Sequence, residues 1–348
     1  MKKDVGAEVI ICRRPQENSA EKTGLGRYAD LLESCLDKIP YGILEADLNS
    51  THGFKNLILN GFLRPIKDAK KINSTGAVFH AADELCSVIF PFVKGKKIMT
   101  VHHVSFKEKK FDLFYIMWMF ITKIGINHSD KVIAISETTK RDLIDIGCPK
   151  NKIEVISNSI NPKFVKKDIP KERGVFCMGQ LTPRKNMQDA MKAFILLTKY
   201  SGMEDYTLTF CGDGPNRSEL EAMAEEAGIS DRVNIVSGLS EDEIVDLYNR
   251  NMIVFNTSLL EGTGLVTLEA QRCGTPVFHL NRAKIPEPVT RMSIGCDDPA
   301  DMAKKAYELI TNPHRYREVS EKSAKYAASF GVDFKKQYLA LLKEVQDN

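Results

Sequence analysis

The sequence predicts an α/β protein made of two tandem parallel-sheet domains. Three observations carry this. Short, nearly continuous apolar runs rich in β-branched residues alternate with longer helical patterns, as strands buried on both faces of a parallel sheet read. The alternation breaks at a stretch with two prolines and several lysines, "NPKFVKKDIPKERG", and then restarts. The chain has 348 residues, enough for two domains of about 100–200 residues each.

In the first half the expected strands are "EVIICR" (8–13), "NLILNGF" (56–62), "AVFHAA" (77–82), "KIMTVHH" (97–103), "KVIAIS" (131–136) and "IEVISNS" (153–159). Helical patterns separate them. "GRYADLLESCLDKI" follows the first strand, and "SETTKRDLIDIG" begins with Ser136 as N-cap and stops at Gly147. After the break come "GVFCMG" (174–179), "TLTFCG" (207–212), "VNIVSG" (233–238), "MIVFNTS" (252–258) and "TPVFHL" (275–280). The last pattern, "FKKQYLALLKEV" (334–345), is an amphipathic helix with no strand after it. Spacing alone therefore yields two βαβ domains. In such sheets ligands lie outside the carboxyl ends of the strands, so the residues just after strands matter most.

Composition excludes several classes. The chain is 43% hydrophobic and 27% charged, with a formal net charge of +3, as in ordinary globular proteins. Lys plus Arg against Asp plus Glu is 27 to 20 over residues 1–168 and 22 to 26 over 169–348, so +7 and −4 sum to +3. The basic first half fits an anionic ligand or surface, or simply a soluble exterior. Eight scattered cysteines without a Cys-X-X-Cys pair read as buried small hydrophobes in a reducing compartment. The N-terminal apolar run is only strand-length, unlike a signal peptide. The most apolar segment, 111–126, is too short to span a bilayer. A cytoplasmic location is expected, without a nucleic-acid partner.

Several strand exits carry candidate chemistry. Gly24 and Gly26 lie in "EKTGLGRYADLL", before a helix expected near Arg27. Glycines there let backbone amides approach a phosphate, or serve as a plain turn. Ala29 stands where a dinucleotide fingerprint needs its third Gly. His102 and His103 end a strand and point to opposite faces, so one at most faces a ligand. Arg184 and Lys185 precede a helix expected from Asn186, and two cations beside free helix amides suit a diphosphate. Gly212, Asp213, Gly214 and Pro215 form another strand-to-helix turn, which needs no functional reading. In "SLLEGTGLVTLEAQRCG", Glu261 lies in a strand-exit loop and Glu269 more than one turn inside the next helix. With the amides of Thr263, Gly264 and Leu265 between them, the two carboxylates suit the hydroxyls of a sugar and a ribose. An ordinary helix N-terminus also favours acidic residues.

Taken together, "GLGRYA", "TVHH", "AISETTKRDLI", "VISNSINPKF", "GQLTPRKN", "CGDGP", "VSGLSEDEIVDLY" and the Glu-X7-Glu element "EGTGLVTLE" occur in this order. The chain thereby resembles the family 4 retaining glycosyltransferases of the GT-B fold, over nearly its whole length and most strongly over 130–280. The resemblance implies two Rossmann-like α/β/α domains facing across a cleft. Residues 1–166 would bind the acceptor and 167–330 the nucleotide sugar, and 331–348 would return as a helix to the first domain. It implies that Glu261 and the amides of Thr263, Gly264 and Leu265 hold the donor sugar. Glu269 would bind the ribose, and Lys185 with Arg184 would neutralise the diphosphate. Ser237, Gly238 and Leu239 would line the base pocket, Gly24 and Gly26 would approach the diphosphate, and His102 would stand beside the reacting sugar. Gln180 replaces a frequent phosphate-binding Arg, whose place Arg184 would take. The "PRKN" form favours GDP-mannose over a UDP-sugar. Thr263 and Ser159 depart from a frequent aromatic and a frequent Gly.

The expected activity is retaining transfer of a hexose, mannose favoured, to a glycan or lipid-linked acceptor. No Asp-X-Asp occurs, so neither a metal nor any other cofactor is expected. A GT-B epimerase and an inactive sugar-nucleotide binder are the rival readings; a phosphorylase would need a much longer chain. The segment with Lys94, Lys96, Lys97, Lys107, Lys109, Lys110, Phe106, Phe111 and Trp118 offers peripheral contact with an anionic membrane, or is a solvated loop and a buried helix.

Overall fold

The computed structural model describes residues 7–15, 24–47, 57–72, 76–104 and 113–347. The chain divides into two compact units. One holds the described residues up to Ser159 together with those from Gly331 onward, and the other holds Ile160–Phe330. The division falls just before the Pro- and Lys-rich stretch. That stretch does not hang free. Phe164 is buried, the Lys167 amide donates to Asn249 Oδ1 (2.7 Å), and Lys171 Nζ donates to Thr275 Oγ1 (2.7 Å). It is stitched onto the second unit, although its composition reads as a linker.

The first unit holds a six-stranded, all-parallel sheet in the order β2-β1-β3-β4-β5-β6. Its strands are β1 (Val9–Arg13), β2 (Tyr41–Glu45), β3 (Val78–Ala81), β4 (Lys97–Val101), β5 (Lys131–Ala134) and β6 (Ile153–Val155). β1 and β3 are buried at every position, which explains their unbroken apolar runs. One core lies on each face of the sheet. The second of these is closed by the C-terminal helix Phe334–Asp347, whose Phe334, Tyr338, Leu341, Leu342 and Val345 are buried. Tyr338 Oη lies 2.9 Å from His80 Nδ1, and Lys131 Nζ reaches Glu344 at 2.8 Å.

The second unit repeats the plan, in the order β12-β11-β10-β7-β8-β9. Its strands are β7 (Glu172–Met178), β8 (Thr207–Cys211), β9 (Val233–Val236), β10 (Asn251–Asn256), β11 (Val277–Leu280) and β12 (Ile294–Cys296). Again a core lies on each face.

Three expectations change. The run "NLILNGF" is not a strand. Leu57–Leu63 form a π-helical turn that continues into the helix Arg64–Ile72. Leu59, Phe62, Leu63, Ile66 and Ala69 follow helical spacing across the junction, and that period outweighs the short apolar run. Two strands went unread: β2 "YGILE", which alternates in burial, and the three-residue β12 "IGC". Both are edge strands containing a glycine, where the sequence signal is weakest. The first helix begins at Gly24 rather than near Arg27, so Gly24 and Gly26 belong to its first turn and not to a loop before it.

Candidate active site

The second sheet reverses direction between β10 and β7: later strands step outward on one side through β11 and β12, and on the other through β8 and β9. Open α/β sheets bind ligands at the carboxyl end of such a switch. Two loops leave it, 179–186 after β7 and 257–264 after β10. Arg184 and Lys185 lie on the first, and Glu261 on the second.

Glycines set the first loop. Gly179 leaves β7 at φ 141, and a Cβ there would lie 3.1 Å from Lys185 Cε. The bare backbone thus lets the lysine chain lie across it. The "GDGP" turn presses against the same loop. A Cβ on Gly212 would meet Gly179 O at 2.1 Å, and one on Gly214 would meet Leu181 O at 2.5 Å. Backbone bonds Gly179 N to Cys211 O (3.0 Å) and Leu181 N to Asp213 O (2.9 Å) carry the β7–β8 pairing beyond the strands.

The two loops are laced together. Leu259 N donates to Arg184 O (2.9 Å), Thr257 Oγ1 to Lys185 O (3.3 Å) and Arg184 Nη1 to Leu260 O (2.8 Å). Asn186 has a left-handed backbone, φ 51, the one positive φ outside glycine among the described residues. Its Nδ2 donates to Asp189 Oδ2 (3.0 Å) and to Thr257 O (3.3 Å), holding the turn. Asp189 is further bound by Arg282 and by Lys192. Burial alone would raise its pKa, but the hydrogen bonds from Asn186, Lys192 and Arg282 outweigh burial and hold it below the usual carboxylate range.

This lacing brings the predicted charges together. Lys185 Nζ donates to Glu261 Oε1 at 2.5 Å, and Arg184 Nη1 lies 3.8 Å from Glu261 Oε2. The side chains of Lys185 and Glu261 are each 11% exposed, that of Arg184 47%. Two cations share one carboxylate, which leaves one net positive charge: the largely desolvated Lys185–Glu261 pair is neutral, and the half-exposed Arg184 beside it carries the excess. An arriving anion with two or more charges can take over Lys185 and Arg184 and free Glu261 to accept from hydroxyls.

The helix Leu265–Arg272 starts directly behind. Gly264 caps it at φ 70, where a Cβ would lie 2.8 Å from Val289 Cγ1. First-turn amides of a helix present donors and partial positive charge. Glu269, one turn deeper, is buried and accepts from Tyr248 Oη (3.2 Å). Ser237, Gly238 and Leu239 form the exit of β9, with Gly238 at φ 74 and Leu239 packed on the core. Ser240 and Glu243 then form a capping box for the helix Glu241–Arg250.

The remaining candidates lie in the first unit. His102, just past β4, is 7% exposed. Its Nε2 donates to Ala82 O at 2.9 Å, its ring meets the edge of Tyr28 at 4.7 Å, and burial pushes its pKa down to about 4. It is therefore neutral near pH 7. His103 points the other way, toward Trp118 at 5.3 Å. Gly24 is exposed, with open space around it. Asn186, Asp189, Arg282 and Tyr248 were not singled out from sequence. Only Asn186 carried a signal, an Asn at a helix start.

Two parallel six-stranded units, the first completed by the C-terminal helix, define the architecture of a GT-B glycosyltransferase. Family models agree: that of the "Glycosyl transferases group 1" matches residues 159–327 and that of "Glycosyltransferase Family 4" residues 73–164. Together they run over 73–327, and the chain belongs to the family 4 glycosyltransferases. Among curated relatives, a D-inositol 3-phosphate glycosyltransferase of Thermobispora bispora is 26% identical over 59% of this chain and 54% of its own length. The serotype-specific mannosyltransferase WbdA of Escherichia coli is 24% identical over 58% of this chain and 27% of its own. The chain thus spans about half the length of these relatives or less. A sucrose-phosphate synthase from Thermosynechococcus elongatus superposes with a TM-score of 0.80, covering 97% of this chain and 99% of that one. At 14% identity that likeness is one of fold.

Proposed function

We propose that the protein is a retaining glycosyltransferase that moves a hexose, mannose favoured, from a nucleotide diphosphate sugar to a glycan or lipid-linked acceptor without a metal ion. The observation that carries this reading is the Arg184–Lys185–Glu261 cluster at the switch point of the second sheet. The "PRKN" element and the likeness to a mannosyltransferase favour GDP-mannose, with a UDP-sugar as the other donor.

On this reading the diphosphate draws Arg184 and Lys185, and Glu261 with the amides of Thr263, Gly264 and Leu265 accepts and donates to the sugar hydroxyls. Glu269, held by Tyr248, takes the ribose hydroxyls, and Ser237, Gly238 and Leu239 line the base. The acceptor oxygen bonds to the anomeric carbon on the face from which the phosphate oxygen departs. The acceptor's proton passes to that leaving oxygen. Negative charge grows on the phosphate as the bond breaks, and the two fixed cations stabilise it. Gly24, Gly26 and His102 keep the roles the resemblance implies; the neutral His102 ring gives its one N–H to Ala82 O, which leaves Nδ1 as an acceptor.

The test is to incubate the purified chain with GDP-mannose and with UDP-sugars and to follow free nucleoside diphosphate and free sugar. Slow donor hydrolysis that disappears in Lys185→Ala and Glu261→Gln supports transfer. Interconversion of the intact nucleotide sugar would make the protein an epimerase, and donor binding without turnover would make it a binder.

A further inference from the structure

Four helical segments cover one face of the first sheet beside the helix Glu137–Asp145, which packs on the same core: the turn Leu57–Leu63, the helix Arg64–Ile72, the 3-10 turn Leu85–Phe92 and the helix Leu113–His128 form the layer described here. Phe62, Ile66, Val88, Met117 and Trp118 of this layer pack on the core. Its outer surface is also apolar. Leu59, Leu63, Phe92, Ile116 and Phe120 are 45, 56, 40, 51 and 63% exposed. They are five of the eight large hydrophobic side chains exposed among the described residues. Scattered apolar side chains on a surface need no explanation, but this concentration does.

The same layer is basic. Arg64, Lys67, Lys70 and Lys123 are exposed, and Asp68 is the one acidic residue in the four segments. Lys70 Nζ lies 5.2 Å from the Phe92 ring, so cation and apolar group are interleaved. Trp118 and Lys96 do not contribute, because Trp118 packs inward on His103 and Lys96 faces Asp130 at 3.7 Å. Residues 106–111, also expected to contribute, lie outside the described residues.

We propose that this layer docks on an anionic lipid surface, with Ile116, Phe120 and Phe92 at the headgroup boundary and the lysines on lipid phosphates. A second copy of the chain is disfavoured because two such faces would bring like charges together. Among the described residues no helix is long and apolar enough to cross a membrane, so the layer lies on the bilayer and does not span it. The inference rests on this surface alone and stands or falls separately from the transfer reaction.

Flotation of the whole chain with vesicles tests it. Vesicles of phosphatidylglycerol and phosphatidylcholine should carry the protein upward and release it at high salt, whereas pure phosphatidylcholine should bind it weakly. Ile116→Ser/Phe120→Ser should lower the bound fraction about tenfold, with an unchanged thermal transition as the folding control. If the serine variant unfolds, Lys67→Glu/Lys70→Glu serves instead, and should abolish only the preference for anionic lipid. Failure of the wild type to float on anionic vesicles, or flotation of both variants like the wild type, would overturn the proposal. So would a dimer in lipid-free solution that the serine substitutions dissociate, since that would make the face a self-association surface.

Discussion

Lys185 has two tasks, and one substitution separates them. Its ammonium neutralises Glu261 in the largely buried corner and is the cation proposed to meet the leaving phosphate. Lys185→Ala leaves a poorly solvated carboxylate without its closest partner, which should cost about 1–3 kcal/mol of stability. Loss of transition-state charge stabilisation should lower kcat about 10²–10³-fold. A thermal melt and a turnover assay check both, and full turnover in the variant would contradict the charge assignment. Tyr248→Phe is the milder probe. It removes the 3.2 Å bond to Glu269, so the donor KM should rise several-fold with kcat nearly unchanged, and stability should fall by about 1 kcal/mol. At this scale the sequence showed the charges and hid their supports. Arg184, Lys185 and Glu261 stand out because each lies in a loop that leaves a strand, and Glu269 because it completes the Glu-X7-Glu spacing from Glu261 on the helix that follows. Tyr248 reads as an ordinary core residue of an amphipathic helix. Asp189 reads as a first-turn acid, and its tie to Arg282 spans 93 positions that no local pattern connects.

Among elements, the site depends on three exits from neighbouring strands β8, β7 and β10 packing backbone to backbone. Gly214→Ala tests this. The added Cβ would lie 2.5 Å from a backbone oxygen that cannot rotate away, and φ 153 is itself costly for a side chain. A loss of about 2 kcal/mol is expected, together with weaker donor binding, because the loop that moves leads to Arg184. Unchanged donor affinity in a folded variant would show that the loops are not coupled. The parallel core strands were legible because burial on both faces writes an unbroken apolar run, as in β1 and β3. Edge strands β2 and β12 were not, since one side of each is unpaired and a glycine interrupts the pattern. "NLILNGF" misled because seven apolar-rich residues fit either period until the following helix is included.

For the molecule as a whole, acid should act on the first unit. His80 is fully enclosed, bonded to Tyr338 and Thr100, and burial pushes its pKa down to about 3; His102 is pushed to about 4. The ordinary value is near 6.5. Both folded-state values are depressed, so the unfolded chain takes up protons first as pH falls below 6.5. Their stabilisation is complete above that pH and is lost toward pH 4 and 3, by up to about 1.4 kcal/mol per pH unit for each group. Glu84, raised by burial, acts in the opposite sense and offsets part of the loss. Trp118 is the chain's one tryptophan and belongs to the first unit. At a fixed, subdenaturing urea concentration, its emission should shift red on acidification before most of the helical circular dichroism is lost. An emission change that coincides with the last loss of helix would contradict this order. The alternation of elements disclosed the two-unit plan. The seam at Ser159 and Ile160 was blurred because the stretch after it looks solvated yet is bound to its own unit by Phe164, Lys167 and Lys171.

The central claim is that the second unit grips the donor through the loops after β7 and β10. Hydrogen–deuterium exchange with and without GDP-mannose, repeated with UDP-sugars, tests it most directly. The account predicts that a bound donor slows exchange in peptides covering 179–186 and 258–269, and that Lys185→Ala abolishes the effect. Donor-dependent protection confined to other segments, with these two unchanged, would contradict it.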